Sequence, residues 1–446
     1  MADLKGLARR IFYQTLAVID IPATMQRKLL RVGTHLKCAD AVSSFDVDLA
    51  AFDRTLVIAI GKAAHAMVDG LAILLGNERA FEGVVAAPTT PATRRELRGI
   101  RYFTAGHPLP NAESWSAARA ILDLLRGCDE RTVVFFLLSG GGSALVELPL
   151  DLSLNLADIQ QLYRALVTCG APIGEIGKVR RHVSAVKGGR LAAAAGRAMK
   201  ITLAVSDVPV GLEEALASGP TIGDPTTIAD AMRVVGEYGL EAQLPESLRR
   251  WLREGNVPET PKPGDAAFAN AHFALLLGMD DLFHPAHRAA EAAGCITCCD
   301  NTTDDWPVDL AAEYLLEQLE ELRGIHPGQR VALIADGEVG SRVTGNGVGG
   351  RNSAFVLNCV EKIAGRRIAV LSAGTDGIDG NSPAAGAVAD GDTAGRAAAA
   401  GMSPREFFER SDAFSFFDRI GDAIVTGPTG NNLRDLRILV AEAERG

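Results

Sequence analysis

The stretch Val133-Val-Phe-Phe-Leu-Leu-Ser139-Gly-Gly-Gly-Ser143 decides the fold. Its six consecutive apolar residues are strand-sized, and a strand with no polar face belongs in a sheet covered by helices. Three glycines in succession are costly in chain entropy, so the strand is expected to end in a tight backbone turn. Successive N–H groups in such a turn form a nest that attracts anions. A close crossing of loop over sheet is the alternative use of the same glycines.

The same pattern recurs outward from this point. Strand-like runs lie at 56–60, 83–86, 133–138, 201–205, 294–298, 331–335 and 368–371, alternate with helical patterns, and mostly end in a Gly, Ser or Asp cluster. This predicts an α/β fold with mostly parallel sheets covered by helices. Ligands of such sheets bind beyond the carboxyl ends of the strands. The 446 residues exceed one ordinary core, and roughly 100–200 residues per domain suggests two or three. The proline-rich stretch 256–265 (NVPETPKPGD) reads as a linker between a domain at 1–255 and one at 266–446, whose last segment can return to the first.

Composition narrows the function. Hydrophobic residues at 47% and charged residues at 22% are ordinary for a globular chain. A net charge of −10 with no basic stripe argues against nucleic acid or a membrane surface as partner. Cations beside a glycine loop are correspondingly informative. No apolar run approaches the ~18–20 residues that span a bilayer. Leu4, Leu7 and Ile11 give the N-terminus the spacing of an amphipathic surface helix rather than a secretion signal. Seven scattered cysteines fit a reducing, cytoplasmic setting. Cys295, Cys298 and Cys299, with His284 and His287 upstream, have spacings that allow zinc, but GCITCCD is an apolar run where small buried strand residues are expected.

Six loops carry the candidate chemistry. In Ile58-Ala-Ile-Gly-Lys62, a lysine opens a helix after a strand and can add a mobile charge to an anion site. Ser139, Gly140, Gly141, Gly142 and Ser143 form the nest already described. On a helix, Val179, Val183 and Val186 would share one face, with Arg180, Ser184 and Lys187 on another as a phosphate or carboxylate clamp, or as a solvated stripe. Asp207 closely follows a strand in Ser206-Asp-Val-Pro209, where a carboxylate can act as a base or hold a cation. Gly345, Gly347 and Gly350 spell GxGxxG before Arg351, but the preceding strand ends near Ala335, too far away for a dinucleotide turn. Finally, Asp376 and Asp379 lie among glycines after a strand, as Mg²⁺ ligands or as plain turn residues.

Taken together, GKAAHAM, AGHPLPNAES, LLSGGGSALVELP, VRRHVSAVKGGRLA, SDVP…ASGPTIGDPTT, GGRN, SAGTDGIDG…AAGAVADGD and TGPTGNN resemble, in order, the glycerate kinase family of the glycerate 2-kinase type with a MOFRL C-terminal part. The resemblance implies ATP-dependent phosphorylation of D-glycerate to 2-phosphoglycerate, with Mg²⁺ and an active site in a cleft between two α/β domains. It implies Lys62 and Arg351 as catalytic cations, Asp207 as a further catalytic group, residues 139–143 as the phosphate loop, and Arg180 and Lys187 as nucleotide or phosphate contacts. For the metal it leaves Asp376 first, with Glu338 and Asp207 behind it. A homo-oligomer is compatible with this reading. The chain departs from the family at Ala335-Asp-Gly-Glu338, where SGGE is usual, at Gly345–Arg351, which lacks two cations, and at Ser353-Ala354 in place of glutamine-glutamate. An NAD(P)H-dependent hydroxypyruvate reductase is the competing enzyme reading, and a non-catalytic sensor of phosphorylated acids would share the same loops.

Overall fold

A computed structural model describes residues 3–39, 44–76, 79–91, 97–208, 211–255 and 257–443. Pro209 and Asn256 of the motifs above lie outside the described residues. The chain divides into two compact units, one from Ile21 to Gly278, the other formed by the residues up to Asp20 with those from Met279 onward. The chain therefore passes from one unit to the other twice, after Asp20 and after Gly278. The stretch expected as a linker belongs inside the central unit, where Arg190 donates to the carbonyls of Pro258 and Glu259, and Asp224 N–H donates to Pro261.

The central unit begins with an antiparallel sheet of β1 (Leu29–Val32), β2 (His35–Ala39) and β3 (Ser44–Asp48). Its main sheet contains β4 (Arg54–Ile60), β5 (Glu82–Ala87), β6 (Ile100–Thr104), β7 (Thr132–Ser139), β8 (Met199–Val205) and β9 (Ala271–Leu277). The six are all parallel, in the order β6-β5-β4-β7-β8-β9. Leu56, Ile58, Ile60, Val134, Phe136 and Leu138 turn one face of this sheet towards Ala117, Ala118, Ile121 and Leu125 of the helix Ala112–Leu125. That helix starts at Asn111, which forms a reciprocal cap with Ser114. The alternate residues Val57, Ala59, Phe135 and Leu137 are equally buried on the other face, which is why β4 and β7 read as unbroken apolar runs.

In the other unit, β10 (Ile296–Cys299), β11 (Val331–Asp336), β12 (Ile368–Gly374), β13 (Gly386–Asp390), β14 (Ala423–Ile424) and β15 (Asp435–Ala441) form one mixed sheet, ordered β10-β11-β15-β12-β13-β14. Only the β10–β11 pairing is parallel; the other four are antiparallel. The expectation of mostly parallel sheets thus holds for the central unit and not for this one, because the last strand inserts antiparallel between β11 and β12. The helix Leu4–Val18 packs against β12 and β15 with Leu4, Leu7, Ile11 and Phe12 buried, and Lys5 pairs with Asp422 at 3.0 Å. Cys299 sits on the edge strand with its thiol pushed up to about 11, chiefly by burial, and His287 Nδ1 lies 3.2 Å from its sulfur.

Candidate active site

The order of the parallel sheet reverses between β4 and β7. At such a switch point the loops leaving the two strands diverge to opposite faces and open a crevice at their carboxyl ends. Both of the first two motifs lie there. Gly61 has φ +131, and a Cβ on it would lie 2.1 Å from Ser139 Oγ, so only glycine lets the two strand ends pass this closely. Lys62 N–H then donates to the Gly140 carbonyl at 3.0 Å, and Ala63 N–H to Ser139 Oγ at 3.0 Å. Gly141 is left-handed at φ +82 and is flanked by the His107 ring and the Lys62 stem. The backbone N–H groups of Gly141, Gly142 and Ser143 have no acceptor among the described residues. Three open amides on one turn give a nest for an anion.

The loop is backed by strained chain. Ala217, Ser218 and Gly219 are consecutively left-handed, at φ +50, +61 and +61. For the two non-glycine residues this costs of order 1–3 kcal/mol each. The run fits beneath the nest: a Cβ at Gly142 would lie 2.6 Å from Ala217 Cβ, and Ser218 Oγ is 2.8 Å from Ser143 Oγ.

The basic segment departs from the predicted helix face. The helix Ile173–Val183 stops at Val183, and Ser184 is extended, at φ −93 and ψ 139. Lys187 is turned inward, with Nζ 2.7 Å from Glu147 Oε2 and 3.1 Å from the Val146 carbonyl, both side chains buried. Burial holds the Lys187 ammonium below its ordinary pKa, against the pull of Glu147. Lys187 therefore acts inside the protein in this structure, as does Ser184, which donates to Glu147 Oε1 at 2.6 Å. Arg180 stays half-buried with its guanidinium 4.5 Å above the Tyr163 ring. Asp207 lies half-buried in the bend just after β8. Glu147, Tyr163 and His107 went unread in the sequence, although Glu147 and His107 sit inside quoted motifs.

In the other unit Arg351 is the first residue of the helix Arg351–Val360. Its Nε meets Asp435 Oδ2 at 2.5 Å, and Nη1 and Nη2 take Glu338 Oε2 and Oε1 at 2.7 and 2.6 Å. Burial would lower the guanidinium pKa, but these two carboxylates outweigh it and hold the charge on. Glu338 is thereby committed to Arg351 and is no open metal ligand here. Asp379, buried, caps the helix start by accepting Asn352 N–H at 2.9 Å, Ser353 N–H at 2.8 Å and Ser353 Oγ at 2.6 Å. Asp376 follows β12 in a turn where its Oδ1 accepts Ile378 N–H at 3.0 Å. Gly374 lies between Asp376 Oδ1 and Asp435 Oδ1, each just over 3 Å from where its Cβ would stand. Asp435, at the head of β15, one of the strands absent from the apolar runs of the sequence, is the further acidic group of this neighbourhood.

Two family profiles match the chain: one described as a domain of unknown function, DUF4147, over residues 7–253, and the MOFRL family over residues 331–435. The chain is 35% identical over 389 residues to a D-glycerate 2-kinase of Thermotoga maritima, covering 86% of this chain and 90% of that one. A relative of Agrobacterium vitis that bears a hydroxypyruvate reductase name is 34% identical over 397 residues, 87% of each chain. The crystal structure of a glycerate kinase from Thermotoga maritima superposes with a TM-score of 0.81 at 31% identity, over 99% of this chain and all of that one.

Proposed function

The chain belongs to the glycerate kinase family with a MOFRL C-terminal region, and from that premise we infer that it is a glycerate 2-kinase that transfers the γ-phosphoryl group of ATP to the C2 hydroxyl of D-glycerate. The observation that carries the phosphate part of this reading is the turn Gly141–Ser143 with its amides open at the sheet's switch point.

Phosphoryl transfer needs little covalent help from the protein; positioning and charge neutralisation supply most of the catalysis. The nest would take phosphate oxygens of the nucleotide, with the Lys62 and Arg180 cations neutralising them. Asp207 would orient the attacking hydroxyl or accept its proton. Arg351, with a planar fork suited to carboxylate, would bind the glycerate carboxylate or the transferring group. To do so its Nη pair must leave Glu338, the more exposed of its two partners.

Mg²⁺ fits the acidic neighbourhood of Gly374. Among the described residues no three His, Cys, Asp or Glu side chains form a metal cage, but Mg²⁺ uses one or two carboxylates and completes its shell with water and phosphate oxygens. Asp376 would hold it, with Asp435 beside it, and the bound ion would neutralise charge on the nucleotide phosphates. Seven scattered cysteines accord with action in the cytoplasm.

The reductase reading draws on the strand order, which dinucleotide-binding sheets share. The turn after β4 opposes it. The second glycine of a dinucleotide turn is replaced there by Ala63, whose N–H is already spent on Ser139. ADP release from Mg-ATP, followed by a coupled assay, tests the kinase directly: release should depend on glycerate, and glycerate-independent or absent release contradicts it.

A further inference from the structure

We propose that Tyr163 is a positioning residue for phosphoryl transfer, setting the spacing between the glycine nest and the Arg180 cation; the inference rests on the reading that these two groups grip the donor's phosphates. Tyr163 stands on the helix Leu156–Thr168 and is only 1% exposed. Its hydroxyl faces two acceptors, the Ser143 carbonyl at 2.8 Å and Glu147 Oε2 at 2.5 Å. Ser143 ends the run of open amides, so this bond fixes one end of the nest. The Tyr163 ring carries the Arg180 guanidinium, 4.5 Å from its centroid.

The surroundings of Arg180 leave its Nη groups for something outside the protein. The Nε of Arg180 is buried with no hydrogen-bond partner, so a ligand would meet the Nη groups of this residue. Among the described residues no carboxylate lies within ion-pair distance of it, although its helix neighbours Lys178 and Arg181 are both paired with acids. A guanidinium parked on an aromatic face keeps its planar fork available for phosphate.

The anchoring beneath Tyr163 is fully satisfied. Glu147 shares the one Tyr163 hydroxyl proton with the Ser143 carbonyl, and accepts in full from Ser184 Oγ at 2.6 Å, from Leu148 N–H at 2.9 Å and from Lys187 Nζ at 2.7 Å. Lys187 also holds the Val146 carbonyl, so the segment from Ser143 to Leu148 is gripped along its length. Burial, then the Glu147 charge, push the phenol above its ordinary pKa, which keeps the hydroxyl a donor. Phenylalanine would fill the same space. The hydroxyl earns its buried place through the contact with the loop.

The test compares full-length wild type with Tyr163→Phe, Tyr163→Leu, Arg180→Met and the Tyr163→Leu/Arg180→Met double variant, in steady-state kinetics with glycerate and Mg-ATP and in thermal melts. Loosening a phosphate contact by about 1 Å costs up to on the order of 10²-fold. Tyr163→Phe should therefore lower kcat/KM for ATP by on the order of tenfold, with KM for glycerate within about twofold of wild type. Because Tyr163→Leu also removes the seat of Arg180, the double variant should be no worse than the more damaged single variant, within about twofold. Wild-type constants for Tyr163→Phe, an equal rise in both KM values, or multiplying penalties in the double variant would each overturn the proposal while the kinase reading stands. A wild-type protein without glycerate-dependent turnover would instead bring down the reading itself, and this inference with it. If Tyr163→Leu fails to fold, the Phe variant and Arg180→Met decide alone, and a normal kcat/KM for ATP in either rejects the proposal.

Discussion

The main-chain N–H of Lys62 donates to the carbonyl of Gly140 at 3.0 Å, joining the loops that leave β4 and β7. These strands are neighbours in space but lie more than seventy residues apart in sequence. The bond brings the first and second glycine motifs into one feature, a turn of open amides with a lysine at its edge. The bond fixes where the lysine stem leaves the main chain, beside Gly141, whose Cβ would lie 3.5 Å from Lys62 Cγ, and so places a mobile cation next to the open amides.

Removing that cation should cost rate rather than fold. Lys62→Ala is expected to lower kcat by on the order of 10²–10³ while thermal unfolding changes little, and Arg351→Ala is expected to do the same to kcat. Steady-state kinetics with saturating glycerate and ATP check both. A near-normal kcat in either variant removes that residue from the chemistry.

Lys187 gives the opposite outcome, because its partner is inside the protein. Lys187→Met leaves the buried Glu147 carboxylate without its cation, and breaking a buried pair from one side costs about 3–5 kcal/mol. Lys187→Met/Glu147→Gln, which removes both charges, should recover much of that loss. Urea unfolding measures it, and a penalty below about 1 kcal/mol for the single variant would contradict the internal role.

Asp336 makes stability depend on pH. It is buried with neither carboxylate oxygen hydrogen-bonded, and burial, reinforced by Asp304 and Asp280 against Arg434 and Arg437, pushes it up to about 6 from the 3.8 of a free carboxyl. The folded state thus prefers the protonated form. The stability this group contributes is full below about pH 4 and is lost as pH rises through 6. Asp336→Asn keeps the neutral form throughout, so its advantage over wild type should open between pH 4 and 7 and reach on the order of 1–3 kcal/mol. Melts across that range check it; parallel profiles for the two proteins count against it.

How far the sequence carried the account follows from where each signal was local. All seven strands read from apolar runs are present, because residues such as Phe135 and Phe136 are buried on opposite faces and leave no polar gap. β15 was missed: Arg437 interrupts its apolar run, yet the side chain is wholly buried, its Nη groups bonded to the Asp336 and Gly337 carbonyls at 3.3 and 2.8 Å. The Lys187 clamp failed for a related reason. Helical spacing put Arg180, Ser184 and Lys187 on one face, but the helix ends at Val183 and Glu147, forty residues away, draws the lysine inward. Glycine motifs announce a turn locally; the partner that claims a charge does not.

The acidic neighbourhood of Gly374 yields a metal prediction. Asp376→Asn should raise the Mg²⁺ concentration needed for half-maximal rate several-fold, on the order of tenfold, since one of very few protein ligands is lost. ADP binding measured calorimetrically without metal should be unchanged. An unaltered Mg²⁺ requirement would pass the role to Asp435 or Asp207, with their Asn variants next.

The most direct measurement is phosphorus NMR of the products formed from D-glycerate and Mg-ATP, run beside an assay of NADH and NADPH oxidation with hydroxypyruvate. The account predicts ADP and the 2-phosphoglycerate resonance in equal amounts, only when glycerate is present, with no oxidation of either cofactor. Robust reductase turnover without any phosphoglycerate signal would contradict it.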